Sequence, residues 1–526
     1  MGAAAGAARA AALLLAGFLT VVAGIPLFDA VAELRRSRAA GEPRWPLAAA
    51  LGEAFVAAAS GSGARTAIAR VESTLEERSA VGAWALGRGQ GLLIGSLGAG
   101  TDTILRGRDG WLFFRPSVES LLGAGFLGPP RVGPARRSDP RLAVLGFAAQ
   151  LAVRGIRLVL VPAPAKATIY PEMLSPGAGA LAPLRNPSFA PFVAAMRAAG
   201  VLVFDPAPVL LEEKARGGEP LYLATDTHWR PRAVELVAAS LAAYVRGSVE
   251  LTEVEDPAYA LEEVEASHLG DLAAMLRLPA GQSVFPPERV TVRQVVTSDD
   301  LLWRLDRGAD VLLLGDSFAN VYSLATLGWG EGAGLAEHLS RELGRPLDVM
   351  TRNDDAAFAT RLMLAQELAR GRDRLAGKRV VVWELAEREL ALGDWRELPL
   401  ELATAPPRRL WAPERGASVV VSGTILEMGV VPRPRGAPYA DHVAGIHLGD
   451  LESSESDVAG REAVVFVRTM IDYELTPAAS WRPGQQVTLR LSPWADVGEE
   501  VQSMMRSELT DPELMFAEPC WGEVVR

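Results

Sequence analysis

The stretch Asp310-Val-Leu-Leu-Leu-Gly-Asp-Ser-Phe-Ala-Asn320 decides how the chain is read. Val311–Leu314 is short and wholly apolar, as a strand is when helices cover both faces of a parallel sheet. Gly315 permits a sharp turn where that strand ends, which leaves Ser317 at its carboxyl end, where function collects in open α/β sheets. A helix starting there would aim its N-terminal amides at Ser317 and supply donors for an oxyanion. The same residues also have a plainer reading, in which Asp316 and Ser317 do no more than cap a helix.

Outward from this stretch the same texture recurs. Apolar runs at Ile156–Val161, Val201–Phe204, Leu347–Met350 and Val380–Trp383 read as further buried parallel strands. Between them, Arg141–Val153, Pro191–Ala199, Arg232–Tyr244, Leu335–Leu343 and Ala356–Ala369 carry the apolar spacing of sheet-covering helices. Alternating units of this kind predict a three-layer α/β domain with a parallel sheet. Leu251–Leu305 breaks the rhythm with Glu- and Pro-rich sequence and reads as an insertion able to form a substrate rim. Arg108–Phe114 reads as a tight turn feeding a short aromatic strand. After Pro406-Pro407 the helical texture nearly disappears, and Ser418–Met428, Glu462–Tyr473 and Gln486–Leu491 read as strands of a smaller, mostly β module. The expected division is therefore residues 1–30 as a signal anchor or signal peptide and 31–100 as a linker with helices. Residues 101–405 then form the α/β domain, with 251–305 inserted, and 406–526 the β-rich module.

The composition bounds what such a chain can be. Its 526 residues are 49% hydrophobic and 22% charged, which fits two or three folded domains and excludes disordered and fibrous classes. A net charge of −11 argues against a broad grip on nucleic acid. One cysteine, Cys520, excludes an intrachain disulfide and a cysteine-based zinc site. The five histidines, 228, 268, 338, 442 and 447, include no His-x-x-x-His pair, so neither a metal nor another cofactor is expected. At the other end, Ala10–Phe28 is an uncharged run behind Arg9, and at about 1.5 Å per residue it just spans a hydrocarbon core of ~30 Å. It reads as an anchor, with cleavage near Ala30-Val-Ala32 the alternative. Arg9 would keep the N-terminus cytoplasmic and place the rest outside the inner membrane.

A serine hydroxyl is a weak nucleophile and needs a base, itself held by a third group. Asp226-Thr-His228-Trp229-Arg-Pro231 offers an acid and a histidine two positions apart, before a helix opened by Pro231. In extended backbone these two side chains share a face, so Asp226 can fix the His228 tautomer while Trp229 and the helix hold the loop. The bland alternative is an Asp-capped helix start beside a surface histidine. His268, His338, His442 and His447 lack a comparable setting and read as surface or loop residues.

Five motifs now stand in a fixed order: Gly107–Phe114, Pro164–Glu172, Asp226–Trp229, Gly315–Phe318 and Trp383–Arg388. Together they resemble the AlgJ/AlgX-type alginate O-acetyltransferases, a branch of the SGNH-hydrolase-like proteins, over roughly residues 50–395. Acid and base precede the serine here, as in that branch, whereas ordinary SGNH hydrolases have the serine first. The resemblance implies a three-layer SGNH-hydrolase-like domain that moves acetyl groups onto an exopolysaccharide, with Ser317 as nucleophile, His228 as base and Asp226 as its orienter. It implies a membrane-bound O-acyltransferase as acetyl-donor partner. It also implies a place at the periplasmic face of the inner membrane, or free in the periplasm or secreted if the N-terminal segment is removed.

Lys166, Tyr170 and Arg388 fall on strand-end motifs similar to the family's, and are candidates for substrate contact or for structural pairing with a carboxylate such as Glu384 or Glu172. Asn353 is a candidate second oxyanion donor, as Asn is in SGNH enzymes, or a helix cap. The C-terminal module matches no carbohydrate-binding sequence of the family. Its Trp411, Tyr439, Trp481 and Trp494 are candidates for stacking on sugars, though aromatic residues in a small β module more often fill its core. Alginate itself is not identified by any residue. A glycan acetylesterase of the same fold and a non-catalytic glycan-binding or assembly protein are the rival readings.

Overall fold

The computed structural model describes residues 26, 28–31, 33, 35, 46–60, 70–71, 74, 79, 100–127, 139–178, 183–279, 282–353, 356–404, 409–432, 440–502, 504–509, 511, 514 and 517–525. Apart from Pro26 and Phe28, the Ala10–Phe28 run lies outside the described residues. Among those described, no helix is long and apolar enough to cross a membrane. The chain divides into two units, residues 1–114 with 271–286, and residues 115–270 with 287–526.

In the first unit, β1 (Ile104–Arg106) and β2 (Leu112–Phe114) pair antiparallel with Arg106 opposite Leu112. Asp109 and Gly110 both take positive φ, 51° and 81°, and Trp111 N–H donates to Arg108 O at 2.9 Å. A hairpin turn that follows strand twist needs two such residues in succession, which is why Asp-Gly stands here. The short helix Asp271–Met275 packs on β2.

The second unit is built on five parallel strands. β3 (Arg157–Ala163), β4 (Leu202–Val203), β7 (Val311–Gly315), β8 (Asp348–Thr351) and β9 (Val380–Ala386) lie in the order β4-β3-β9-β7-β8. These are the five apolar runs of the sequence with shifted ends: β3, β7, β8 and β9 run one to three residues further at their carboxyl ends, whereas β4 keeps only two of the four residues of Val201–Phe204. Leu158, Leu160, Leu312, Leu314, Val381 and Trp383 face one core with helices Pro140–Val153, Phe189–Ala198 and Ala356–Ala369. The alternate residues Val159, Val161, Leu313 and Val382 point the other way and are equally buried, as a sheet covered on both faces requires. Helices Pro231–Ser248 and Leu335–Leu343, packed on each other, supply the opposite layer. The Glu-rich interval holds a two-stranded hairpin, β5 (Ala260–His268) with β6 (Glu288–Val296), in register from Ala260 opposite Val296 to His268 opposite Glu288.

The C-terminal strands β10 (Val419–Met428), β11 (His442–Glu452), β12 (Ala463–Ile471), β14 (Gln486–Pro493) and β16 (Cys520–Val524) close into a barrel, with short β13 (Glu474–Leu475) and β15 (Met505–Ser507) at its margins. The pairing runs β10–β11, β11–β12, β12–β16, β16–β14 and β14–β10, so no edge of the five is left open. Val421, Ile425, Ile446, Val465, Leu489 and Cys520 fill the interior. The sequence reading found three of these strands. It missed β11, whose eight leading residues are all buried and so give no alternation, and the terminal β16.

Candidate active site

The turn after β7 is shaped by space rather than by unusual backbone. A Cβ on Gly315 would lie 2.7 Å from Ala319 Cβ and 3.2 Å from Glu384 Oε2, so glycine is needed for close approach. Asp316 follows in extended backbone and caps the helix Ser317–Asn320, its Oδ1 accepting from Phe318 N–H at 2.8 Å. Its Oδ2 accepts from Ala386 N–H at 2.7 Å, which ties the turn to the end of β9. The capping reading therefore holds for Asp316. It also corrects the expectation of helix amides aimed at Ser317. The helix has a single turn, and the N–H groups of Ala319 and Asn320 both go to the Asp316 carbonyl at 3.1 Å. Ser317 itself is 8% exposed.

The segment around His228 is a tight loop closed on itself. Tyr222 bridges Trp229 in antiparallel fashion, and Leu223 N–H donates to His228 O at 3.1 Å. Within it Asp226 and His228 do not lie on one face of an extended strand, as the spacing suggested. Instead Asp226 Oδ1 accepts from His228 N–H at 3.0 Å and meets His228 Nδ1 at 2.7 Å, the compact turn for which an Asx side chain is suited. Trp329 Nε1 donates to Asp226 Oδ2 at 2.9 Å. The carboxylate is thus held from both sides, and the bond to Nδ1 fixes the orientation of the imidazole ring. From below, Glu288 at the start of β6 accepts from the N–H groups of Ala224, at 3.0 Å, and Thr225, at 2.8 Å.

These two loops, 89 positions apart in sequence, meet at the residue beside Ser317. Trp229 Nε1 donates to Phe318 O at 3.0 Å, and the Trp229 and Phe318 rings stand edge to face with centroids 5.2 Å apart. The His228 ring packs on Phe318 at 5.0 Å, and Tyr322 Oη donates to Trp229 O at 2.8 Å. Asn353, beyond the end of β8, reaches the same helix, its Oδ1 accepting from Asn320 Nδ2 at 2.9 Å. That bond fixes the Asn353 amide with its own NH₂ as the group left to donate.

The other candidates sit on the neighbouring strand ends. Lys166 is buried and its Nζ donates to Ala224 O at 3.1 Å, so it supports the His228 loop. Tyr170 is buried, and its hydroxyl accepts from Leu221 N–H at 2.8 Å at the base of that loop. The ion-pair partner of Glu172 is Lys214, at 2.7 Å. Arg388 opens the short helix after β9 and acts electrostatically on Glu384. Glu384 is wholly buried, and burial followed by the nearby Asp316 charge raises its pKa well above the usual carboxylate range. Glu387, buried one residue past β9 with Arg185 at 3.4 Å, is pushed up to about 7 by burial.

Trp329, Glu288, Asn320 and Tyr322 were not singled out by the sequence reading. Each lies far along the chain from the residue it supports, and no local pattern marks such a contact.

Three histidines read as surface or loop residues are in fact buried. His338 lies on the inward face of its helix, His442 meets Thr469 Oγ1 at 2.7 Å, and His447 meets Glu462 Oε2 at 2.9 Å. Of the module's aromatic residues, Trp481 belongs to the barrel core and Trp411 packs against it. Trp494 packs at a tilt against Phe466 and Trp521, with centroids 4.8 and 5.8 Å away, and Tyr439 lies outside the described residues.

Residues 104–387 match a family model described as the SGNH hydrolase-like domain of acetyltransferase AlgX. The probable alginate O-acetylase AlgJ of Pseudomonas aeruginosa is 32% identical over 220 residues, 41% of this chain and 53% of the relative. That of Pseudomonas fluorescens is 27% identical over 304 residues, 56% of this chain and 70% of the relative. The chain thus spans about half the length of the first of these relatives. Among solved structures, the O-acetyltransferase domain of Pseudomonas putida AlgJ aligns with a TM-score of 0.43 and 26% identity, over 55% of this chain and 93% of that one. Pseudomonas aeruginosa AlgX aligns with a TM-score of 0.39 and 17% identity, over 75% and 92%.

Proposed function

We propose, from the premise that this chain belongs to the AlgX family of SGNH hydrolase-like acetyltransferases, that it transfers acetyl groups to hydroxyls of an exopolysaccharide through an acetyl-serine intermediate. Ser317 Oγ attacks the carbonyl carbon of the acetyl donor, and its proton passes to His228 Nε2. The donor's leaving group departs with that proton, which leaves the acetyl group on Ser317. A sugar hydroxyl then attacks the ester carbonyl, giving its proton to His228, and Ser317 Oγ is expelled and reprotonated. Asp226 holds the tautomer and stabilises the imidazolium formed in each half. Asn353 donates to the developing oxyanion, a role that the Phe318, Ala319 and Asn320 amides, all taken by Asp316, do not fill.

The observation that carries this reading is the seam at Phe318. A base loop and a serine turn from distant parts of the chain are fastened there by the Trp229 indole, the His228 ring and the Tyr322 hydroxyl. A purely structural serine turn would have no need of a histidine already fixed by a buried carboxylate.

The acceptor is a glycan by analogy with relatives named as probable alginate O-acetylases. The proposed setting is the periplasmic face of the inner membrane, held there by Ala10–Phe28, with a membrane-bound O-acyltransferase supplying the acetyl group. Purified protein incubated with 4-nitrophenyl acetate, with and without oligosaccharide, tests the reading. Acetyl transfer to the sugar that depends on Ser317 is the expected result. Acetate release that added sugar does not divert would make the protein an esterase, and no Ser317-dependent chemistry at all would leave it an assembly protein.

A further inference from the structure

Behind the nucleophile turn lie two carboxyl groups that the acyl-transfer steps do not use. Asp316 and Glu384 are 2% and 0% exposed and stand at the carboxyl ends of adjacent strands, with their side chains hydrogen bonded. Glu384 Oε2 accepts the backbone N–H of Asp316 at 2.9 Å, and the same oxygen lies 3.2 Å from where a Gly315 Cβ would stand. The Asp316 carboxyl is committed to two further backbone amides, those of Phe318 at 2.8 Å and Ala386 at 2.7 Å. Two carboxylates in contact in a dry interior cannot both carry charge, since each negative group raises the cost of ionising the other. The backbone donors are divided unequally between the two. Asp316 receives two amide hydrogens through its carboxyl oxygens. Glu384 receives one, and its Oε1 is buried without a hydrogen-bond partner, which suits a protonated acid and not a carboxylate.

We propose that Glu384 is a positioning residue for the Ser317 turn, carrying a proton that it shares with Asp316 while its Oε2 takes the Asp316 backbone N–H. The pair then bears one negative charge, spread over the two amides that begin the Ser317 helix and end β9. Arg388 and the buried Tyr222 hydroxyl are further titratable groups that face Glu384. Burial together with the Asp316 charge drives Glu384 in the same direction, towards the acid form. Losing the proton would set like charges against each other directly under the serine and push the turn out of place. The inference rests on the proposed acyl transfer for its kinetic consequence, whereas the location of the proton can be read without any reaction.

Infrared difference spectra of the wild-type protein against Glu384→Gln at neutral pH provide that reading. A protonated carboxylic-acid carbonyl band present in the first and lost in the second is expected. No difference in that region would overturn the proposal. In the kinetic arm, acetylation of Ser317 by 4-nitrophenyl acetate is followed in Glu384→Gln and Glu384→Ala. Glutamine reproduces a neutral group that donates and accepts, so it should keep the wild-type rate with KM unchanged. Alanine releases the turn and should slow acetylation about 100-fold, the scale of a misplaced reacting group. If glutamine is as damaging as alanine, the residue acts through its charge and the proposal fails. Should alanine prevent folding, the glutamine variant and the spectra still decide. A wild-type protein whose Ser317 is never acetylated would overturn the acyl-transfer reading, and the carbonyl band would still answer for Glu384.

Discussion

At the residue scale the site depends on a few side chains held from two directions. Asp226 illustrates this, with His228 on one oxygen and the Trp329 indole on the other. Trp329→Phe keeps an aromatic side chain, smaller than the indole, and removes the N–H, leaving a buried carboxylate oxygen with one donor fewer at a cost of about 1–3 kcal/mol. If that cost falls on the imidazolium-forming step, kcat should drop roughly 10- to 100-fold with little change in KM, as steady-state kinetics on an acetyl ester would reveal. Asn353→Ala should cost about 100- to 1,000-fold in kcat if its amide serves the oxyanion. Wild-type turnover in that variant would return Asn353 to a structural role. Glu387 gives a pH dependence with a definite sign. Its pKa is raised from the ordinary 4.5 to about 7, so the folded state retains a proton that the unfolded chain has already lost. Its contribution to stability is complete below pH 4.5 and disappears as pH climbs through about 7. Between those limits the wild-type protein should lose on the order of 3 kcal/mol relative to Glu387→Gln, measurable by urea unfolding at either end.

At the element scale, what the sequence disclosed and what it hid have separate physical causes. Strands buried on both faces are unbroken apolar runs, so Val311–Gly315 and Val380–Ala386 were visible along with the helices between them. The pairing of Asp226 with His228 was visible because the two are neighbours in sequence. Their geometry was not, because an Asx turn and an extended strand place positions i and i+2 differently while the residue types are the same. Glu288 lies 63 positions from the Thr225 amide that it accepts, and Trp329 lies 103 from Asp226, separations at which only the assembled fold brings partners together. Gly315 at a strand end suggests a conformational need, whereas the structure shows a need for space. Gly315→Ala should therefore destabilise the domain by about 1–3 kcal/mol, an overpacking cost, and thermal unfolding would register it. A variant as stable as wild type would mean that the turn can shift to admit a methyl group.

Over the whole molecule, the α/β layers and the C-terminal barrel keep separate apolar cores. Polar links join them, including Arg304 Nη1 donating to Gly429 O at 2.9 Å and Arg482 facing Glu331 at 3.4 Å. Interfaces of this kind leave each core to stand largely on its own packing. Leu489→Ala opens a cavity in the barrel and should cost about 2–5 kcal/mol there. Calorimetry should show one transition moving down while acetylation of Ser317 proceeds at its former rate. Loss of acetylation alongside barrel unfolding would show that the module holds the site together.

The most direct test of the account is the mass of the peptide bearing Ser317 after brief exposure to an acetyl ester. A single acetyl group on Ser317 in wild type, absent from His228→Ala and discharged onto added oligosaccharide, is the expected result. Oligosaccharide acetylated while Ser317 stays unmodified, or labelling as fast without His228 as with it, would contradict the mechanism.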